Sequence, residues 1–266
     1  MDEIFNGSGR RSARLSPLWL KGLLFTLLLP RSGLGVAREV VVGASVSIQP
    51  PYIDKHNDTG LALDVIRAAL AVDGHSVRMK YLAGNGLDNH FKMGQVDAML
   101  MNGNYDTVTA IGVPSHRSAG VYRLRDYAIT LEGFSAPLRQ IEDLGEHRVV
   151  AFFPASKVLG ARYAQAVSQS PHYKEIPVQT SQLLALYRGL ADVAIGDRLI
   201  VEYLQQEVRK STGEYHPLAY HFEFPPAVQH LFFLDRALRD SFDRGLNQLK
   251  ASGRYARILT TYAIGN

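Results

Sequence analysis

The sequence predicts an α/β protein of two lobes, each a mainly parallel sheet flanked by helices, and three observations carry that prediction. From Arg38 onward, short apolar runs rich in β-branched residues alternate with amphipathic stretches. The alternation occurs as two successive strand-and-helix series in about 229 residues, which suits two lobes of roughly a hundred each. At 46% hydrophobic and 20% charged, the 266-residue chain has the apolar content of a packed core rather than of a disordered segment. It contains no cysteine, which excludes a disulfide scaffold, a thiolate metal site, a cysteine nucleophile and a lipid anchor on an N-terminal cysteine.

The elements follow in order. Glu39 to Ala44 reads as a buried strand, and Gly60 to Ala71 as a helix with Leu61, Val65, Ala68 and Ala69 on one face, stopped by Gly74. Val77 to Tyr81 is a strand, Gly86 to Met93 a short helix and Val96 to Met101 a strand, a βαβαβ series that favours parallel pairing. The second series runs through strands Tyr127 to Leu131 and Arg148 to Phe152, helix Lys157 to Ser168, short strand Pro177-Val178, helix Ser181 to Arg188, strand Val193 to Ile195 and helix Arg198 to Arg209. Leu218 to Phe224 and Val228 to Leu234 come next, then helices Arg236 to Ala251 and Arg254 to Ala263, separated by Gly253.

The pI of about 9.2 raises the question of nucleic acid. Of the 29 basic and 25 acidic residues, five and two lie in the first 37, so the remainder carries 24 against 23 and offers no sustained basic run. The front segment instead has the layout of an export signal: a basic stretch ending at Arg14, the apolar run Leu18 to Leu29, then Pro30, Gly33 and the small residues Gly35 and Ala37. Cleavage is expected near Ala37, which would place the mature chain outside the cytoplasm; an uncleaved anchor or amphipathic helix is the alternative, because Lys21 interrupts the run. Arg10-Arg11 leaves the general secretory and twin-arginine routes both open.

No Gly-x-Gly-x-x-Gly or Gly-x-x-x-x-Gly-Lys-Ser/Thr string opens a helix, so no nucleotide cofactor is expected. The nine histidines lack close metal spacing, although His221 and Glu223 would share a strand face, and no metal is expected. There is no Gly-x-Ser-x-Gly elbow, and Ser115 and His116 point apart in any regular element.

Four stretches carry a resemblance. Val41-Val42-Gly43 with Pro50-Pro51-Tyr52 and Gly60-Leu61-Ala62-Leu63-Asp64, then Met93 to Ala98, then Gly189 to Asp197 repeating that phrase, and finally Leu238 to Asp243 with Leu249 to Ile258, stand in an order and spacing that resembles the extracytoplasmic solute-binding proteins of polar amino acid ABC transporters (bacterial solute-binding protein family 3). The resemblance covers residues 38 to 264. It implies a type II periplasmic-binding-protein-like fold with a ligand cleft between the lobes, divided as 1–37 signal, 38–122 first lobe, 123–224 second lobe and 225–266 returning to the first.

Tyr52, held on a loop stiffened by Pro50 and Pro51, suits stacking on a ligand, or it is a half-buried tyrosine in a surface turn. Asp197 lies at the carboxyl end of a strand, where open α/β sheets bind ligands, and equally where it would cap the following helix. The resemblance implies that it pairs with a ligand ammonium. Ser156, with Ala155, could present an anion with amides and a hydroxyl at a helix start, or simply cap that helix. One departure stands out, because the family's carboxylate-clamping arginine position holds Thr109. A hydroxyl there supplies about 1 kcal/mol against roughly 1.5 to 3 for a charged bond. Arg117 follows in the same crossover and could substitute; otherwise Asn102, Asn104 and Tyr105 form a neutral polar wall. The expected function is capture of a small polar solute, an amino acid or amine-like, by a monomer without chemistry of its own, for an ABC transporter permease. The alternatives are a periplasmic enzyme on the same fold, similar to cyclohexadienyl dehydratases and using Asp106, Glu132 or Asp197 as general acid or base, and a sensor or adaptor for a membrane receptor.

Overall fold

The computed structural model describes residues 36–262. Apart from Val36 and Ala37, the expected export signal lies outside the described residues. No helix among the described residues is long and apolar enough to cross a membrane.

In the first lobe the strands are β1 (Glu39–Ser45), β2 (Ser76–Leu82), β3 (Ala98–Asn102), β4 (His116–Leu124) and β10 (Ala227–Phe233), ordered β2-β1-β3-β10-β4. The second holds β5 (Asp126–Leu131), β6 (Arg148–Phe152), β7 (His172–Ile176), β8 (Val193–Asp197) and β9 (Leu218–Glu223), ordered β7-β6-β8-β5-β9. The β1, β2 and β3 ladders are parallel, as are those of β6, β7 and β8. Strands β10 and β5 run antiparallel to their neighbours, because each belongs to a segment that has just crossed from the other lobe. The crossings are Leu124 to Asp126 and Glu223 to Ala227, so the second sheet is a single excursion from the first.

Helices α1 (Leu61–Leu70), α8 (Arg236–Ala251) and α9 (Arg254–Tyr262) cover one face of the first sheet, and α2 (Gly86–Lys92) the other. Helix α1 presents Leu61, Val65, Ala68 and Ala69 to the core, as its 3.6-residue spacing requires. Gly245 lets α8 press against it: a Cβ there would sit 1.9 Å from the carbonyl oxygen of Ala69. In the second lobe α6 (Gln179–Tyr187) and α7 (Arg198–Thr212) cover one face, while α4 (Ala155–Val158) and α5 (Ala161–Val167) cover the other. A buried cluster continues from Tyr52 and Ile53 into Ile200, Leu204 and Val208 of α7, so the lobes also touch away from the crossings.

The repeated phrase has one structural job in each lobe. Asp97, in the link from α2 to β3, accepts the Val41 N–H of β1 at 2.7 Å and pairs with Arg38. Asp192, in the link from α6 to β8, accepts the Arg148 N–H of β6 at 2.9 Å and holds the same arginine's guanidinium. Each aspartate thereby pins the parallel neighbour of the strand it introduces.

Four elements differ from expectation. Lys157 to Ser168 is not one helix: Gly160 at φ 89° separates α4 from α5. The strand expected at Pro177-Val178 is His172–Ile176, a polar edge strand whose side chains carry no apolar alternation. Strand β4 and the short helix α3 (Thr107–Ile111) have no counterpart in the reading above. Strand β4 is an edge strand with Gly120 at its centre and register shifts against β10, and both features blur a period of two.

Candidate functional site

Strands β3, β6 and β8 end, and β5 and β10 begin, at the end of each sheet where the chain crosses between lobes. Carboxyl ends of parallel strands carry loops with unpaired backbone groups, and ligands of α/β sheets bind there. A cavity of about 340 Å³ opens at this place, walled by Asn102, Asn104 and Arg117 of the first lobe, Asp126 and Val158 of the second, and Pro225 of the return crossing.

Its first-lobe wall is built on Gly103. The Gly103 N–H donates to the Val228 carbonyl at 2.9 Å, and its own carbonyl accepts from Arg117 Nη1 at 2.8 Å. A Cβ at this position would meet the His230 ring at 2.7–2.8 Å, so only glycine lets the loop lie against β10. Asn102 Oδ1 accepts the Asn104 N–H and folds the loop over. Arg117, at the start of β4, thus reaches the same space as the asparagines, and no carboxylate among the described residues forms an ion pair with it.

The other expected residues are placed differently. Tyr105 turns toward α2, where its hydroxyl donates to Asp88 at 2.6 Å and its ring meets Phe232 edge-on; burial and that carboxylate raise its pKa. Thr109 donates to Asp106 Oδ2 at 2.5 Å, and Asp106 also accepts the Val108 N–H as the cap of α3, which holds that carboxyl below its ordinary range. Ser156 gives its N–H to Glu175 at 2.8 Å, so an internal carboxylate already occupies the start of α4. Glu132 is exposed at the far end of β5.

Tyr52 and Asp197 meet each other. The Tyr52 ring is stacked on Tyr122 with centroids 4.5 Å apart and is only 2% exposed, so its face is committed to the core. Its hydroxyl lies 3.1–3.2 Å from both Asp197 oxygens. Asp197 also accepts the Ile200 N–H as the cap of α7 and the Arg125 N–H of the crossing at 2.6 Å. It is 3% exposed, and burial pushes its carboxyl up to about 6 although backbone N–H groups and the Tyr52 hydroxyl oppose that rise. Of the two readings for Asp197, the structure shows the helix cap.

Asp126 stands directly across the β5–β8 ladder from Asp197. It is 7% exposed, and no donor among the described residues reaches its carboxylate. Burial, with the Asp197 charge added, pushes it up to about 7. Sequence reasoning missed Asp126, Gly103 and His230. The available signals were a charged pair, Arg125-Asp126, between two apolar strands, and Pro225-Pro226 at the return. A second cavity of about 790 Å³ shares Pro226 and Val228 with the first and is walled by Tyr52, Tyr122 and Tyr255 with Arg123, Arg125 and Lys250. There Arg125 grips Glu223 with two bonds of 2.6–2.8 Å, joining the two crossings.

No protein-family profile and no curated protein matches this chain. Solved structures do match. A histidine kinase sensor domain with similarity to periplasmic binding proteins aligns over 85% of this chain and 96% of its own at TM-score 0.64 and 20% identity. The fold is that of the periplasmic binding proteins. The L-cystine solute receptor of Neisseria gonorrhoeae, in its unliganded open conformation, aligns over 86% and 94% of the respective chains at TM-score 0.63 and 16% identity. The arginine-, lysine-, histidine-binding protein ArtJ of Geobacillus stearothermophilus aligns over 84% and 94% at TM-score 0.60 and 16% identity. In this chain Arg117 lines the inter-lobe cavity, whereas Thr109 sits in the cap of α3.

Proposed function

We propose that this chain is an exported solute-binding protein that captures a small polar solute, an amino acid or amine-like, between its lobes and presents it to an ABC transporter permease. The observation that carries the reading is the 340 Å³ cavity at the strand ends, to which both lobes contribute polar side chains. Asn102, Asn104 and Arg117 form its first-lobe wall, and two crossings supply an axis about which the lobes can close on a solute. The amino acids printed in the names of ArtJ and the cystine receptor agree with that class of ligand. Export and release after Ala37 follow from the signal-like segment, and a monomer is sufficient because one chain supplies both walls.

Calorimetric titration of the mature protein, unfolded and refolded to strip carried solute, tests the reading with amino acids and polyamines. Saturable heat with at least one and no product is the expected result, and heat with none overturns it. A second reading, a ligand sensor for a membrane receptor, is favoured by the likeness to the histidine kinase sensor domain. It uses the same cavity, and co-purification with a receptor rather than a permease separates the two. Of the carboxylates named for the enzyme reading, Asp106 and Asp197 cap helices and Glu132 lies away from the cavity.

A further inference from the structure

Three cationic side chains converge on the second cavity. It holds about 790 Å³ against about 340 Å³ for the first, and its walls carry Arg123, Arg125 and Lys250 with a single carboxylate, Glu223. That carboxylate is already engaged, by two bonds from Arg125 at 2.6–2.8 Å and one from the Tyr127 hydroxyl at 2.8 Å. Arg123 and Lys250 form no ion pair among the described residues. Both stand beside Tyr255: the Lys250 Nζ lies 5.4 Å from its ring centroid, and the Arg123 charge opposes the rise in its pKa that burial causes. The Tyr255 hydroxyl is taken by the Val121 carbonyl at 2.9 Å. Between these charges the wall is apolar, from Leu61 of α1, Leu199 of α7 and Leu259 of α9. Clefts that hold organic ligands have this make-up, with roughly 300 to 1,000 Å³ of mostly apolar wall, a few convergent charged groups and a place between domains.

The Leu124–Asp126 crossing separates this cavity from the first. Arg125 and Asp126 are successive residues, and their side chains point apart, Arg125 into the second cavity and Asp126 into the first. The two cavities share only Pro226 and Val228, so no polar or charged side chain serves both. We propose that the second cavity is a separate binding site for an organic carboxylate with an apolar body, its carboxylate held by Arg123 and Lys250 and its body set against Leu61, Leu199 and Leu259. A small carboxylate lacks the body that fills the hollow, and an amine of the same shape meets two cations. The occupant touches α1, α8 and α9 of the first lobe, α7 of the second and both crossings. It therefore ties the lobes together from the side away from the first cavity. This site stands independently of the solute-binding reading.

The test is calorimetric titration of the refolded mature protein with indole-3-acetate and octanoate, using tryptamine and acetate as controls. At least one of the two apolar carboxylates gives saturable heat, and neither control does. Arg123→Gln and Lys250→Gln each weaken that binding about 10-fold, as the loss of one charged bond does, and the double variant removes more than either. Arg139→Gln, an exposed arginine elsewhere on the surface, leaves it unchanged. The Arg123 and Lys250 side chains are exposed and without ion pairs, so their variants melt as the unaltered protein does. The comparison of indole-3-acetate with tryptamine needs no variant at all. No heat from either apolar carboxylate, tryptamine or acetate bound as tightly as they are, or undiminished binding by the double variant overturns the proposal. Saturable indole-3-acetate heat from a protein that answers to no amino acid or polyamine supports this site and overturns the solute-binding reading instead.

Discussion

Two aspartates face each other across the β5–β8 ladder, equally buried and of the same chemistry, and they have opposite surroundings. Asp197 collects two backbone N–H groups and a tyrosine hydroxyl, and its work is to hold the start of α7 against the Leu124–Asp126 crossing. Asp126 collects nothing and faces a cavity. The difference teaches that a carboxylate at the end of a strand is available to a ligand only when the backbone around it has already found other partners. At Asp197 the helix immediately following demands a cap. At Asp126 a strand follows, whose N–H groups are consumed by β8 and β9.

That contrast can be broken most forcefully at Asp197. Asp197→Ala removes the acceptor of three donors at once and leaves the buried Tyr52 hydroxyl with only the Arg123 carbonyl; part of the loss is offset because a buried charge also disappears. The expected destabilisation is about 3 kcal/mol, read as a lower midpoint in urea unfolding.

A pH series sharpens the contrast at the next level. Both carboxyls titrate higher in the folded chain than the ordinary value near 4, at about 6 and about 7. A raised carboxyl pKa means that the folded state binds protons more tightly than the unfolded chain. Its contribution is fully present below pH about 4 and is lost as pH rises through about 7. The solute-free protein should therefore lose stability from these two groups across that window, and Asp126→Asn should flatten the slope. A slope unchanged by the variant would show that Asp126 is not the titrating group.

Tyr52→Phe is milder. It removes one donor to a charged group while keeping the ring stack on Tyr122, so a loss of about 1 kcal/mol is expected, with the Asp197 carboxyl rising further because a bond that lowered it is gone. The smallest effect belongs to Thr109→Ala. The residue sits on the surface in the α3 cap, so stability should change by roughly 0.5 kcal/mol and solute affinity not at all. An affinity loss there would return Thr109 to the cavity.

The strands with strong apolar runs, β1, β3, β6 and β8, and the amphipathic helices α1, α7 and α8 were legible because burial on known faces dictates their periodicity. The polar edge strands β4 and β7 were not, since an edge needs no alternation to be held by one neighbour. The cavity was half legible. Asn102, Asn104 and Arg117 come together as local segments around β3 and β4, whereas Asp126 reaches the cavity by a register fixed far away in sequence, at Asp197. Tyr52, Ser156 and Asp197 carried genuine two-way readings, and in each the partner that decides, Tyr122, Glu175 or Ile200, is either distant or part of an ordinary helix start.

The two crossings have one more consequence. The Phe224 N–H donates to the Asp126 carbonyl at 2.9 Å, so the second sheet starts and finishes at a single hydrogen-bonded point. Everything from Asp126 to Phe224 is a closed cassette spliced into the first lobe at one position. A graft of another protein's corresponding lobe would need to match only that junction and the Arg125–Glu223 clasp beside it. It would exchange the second-lobe side of the cavity wall in one cut, leaving the asparagine wall and Arg117 untouched.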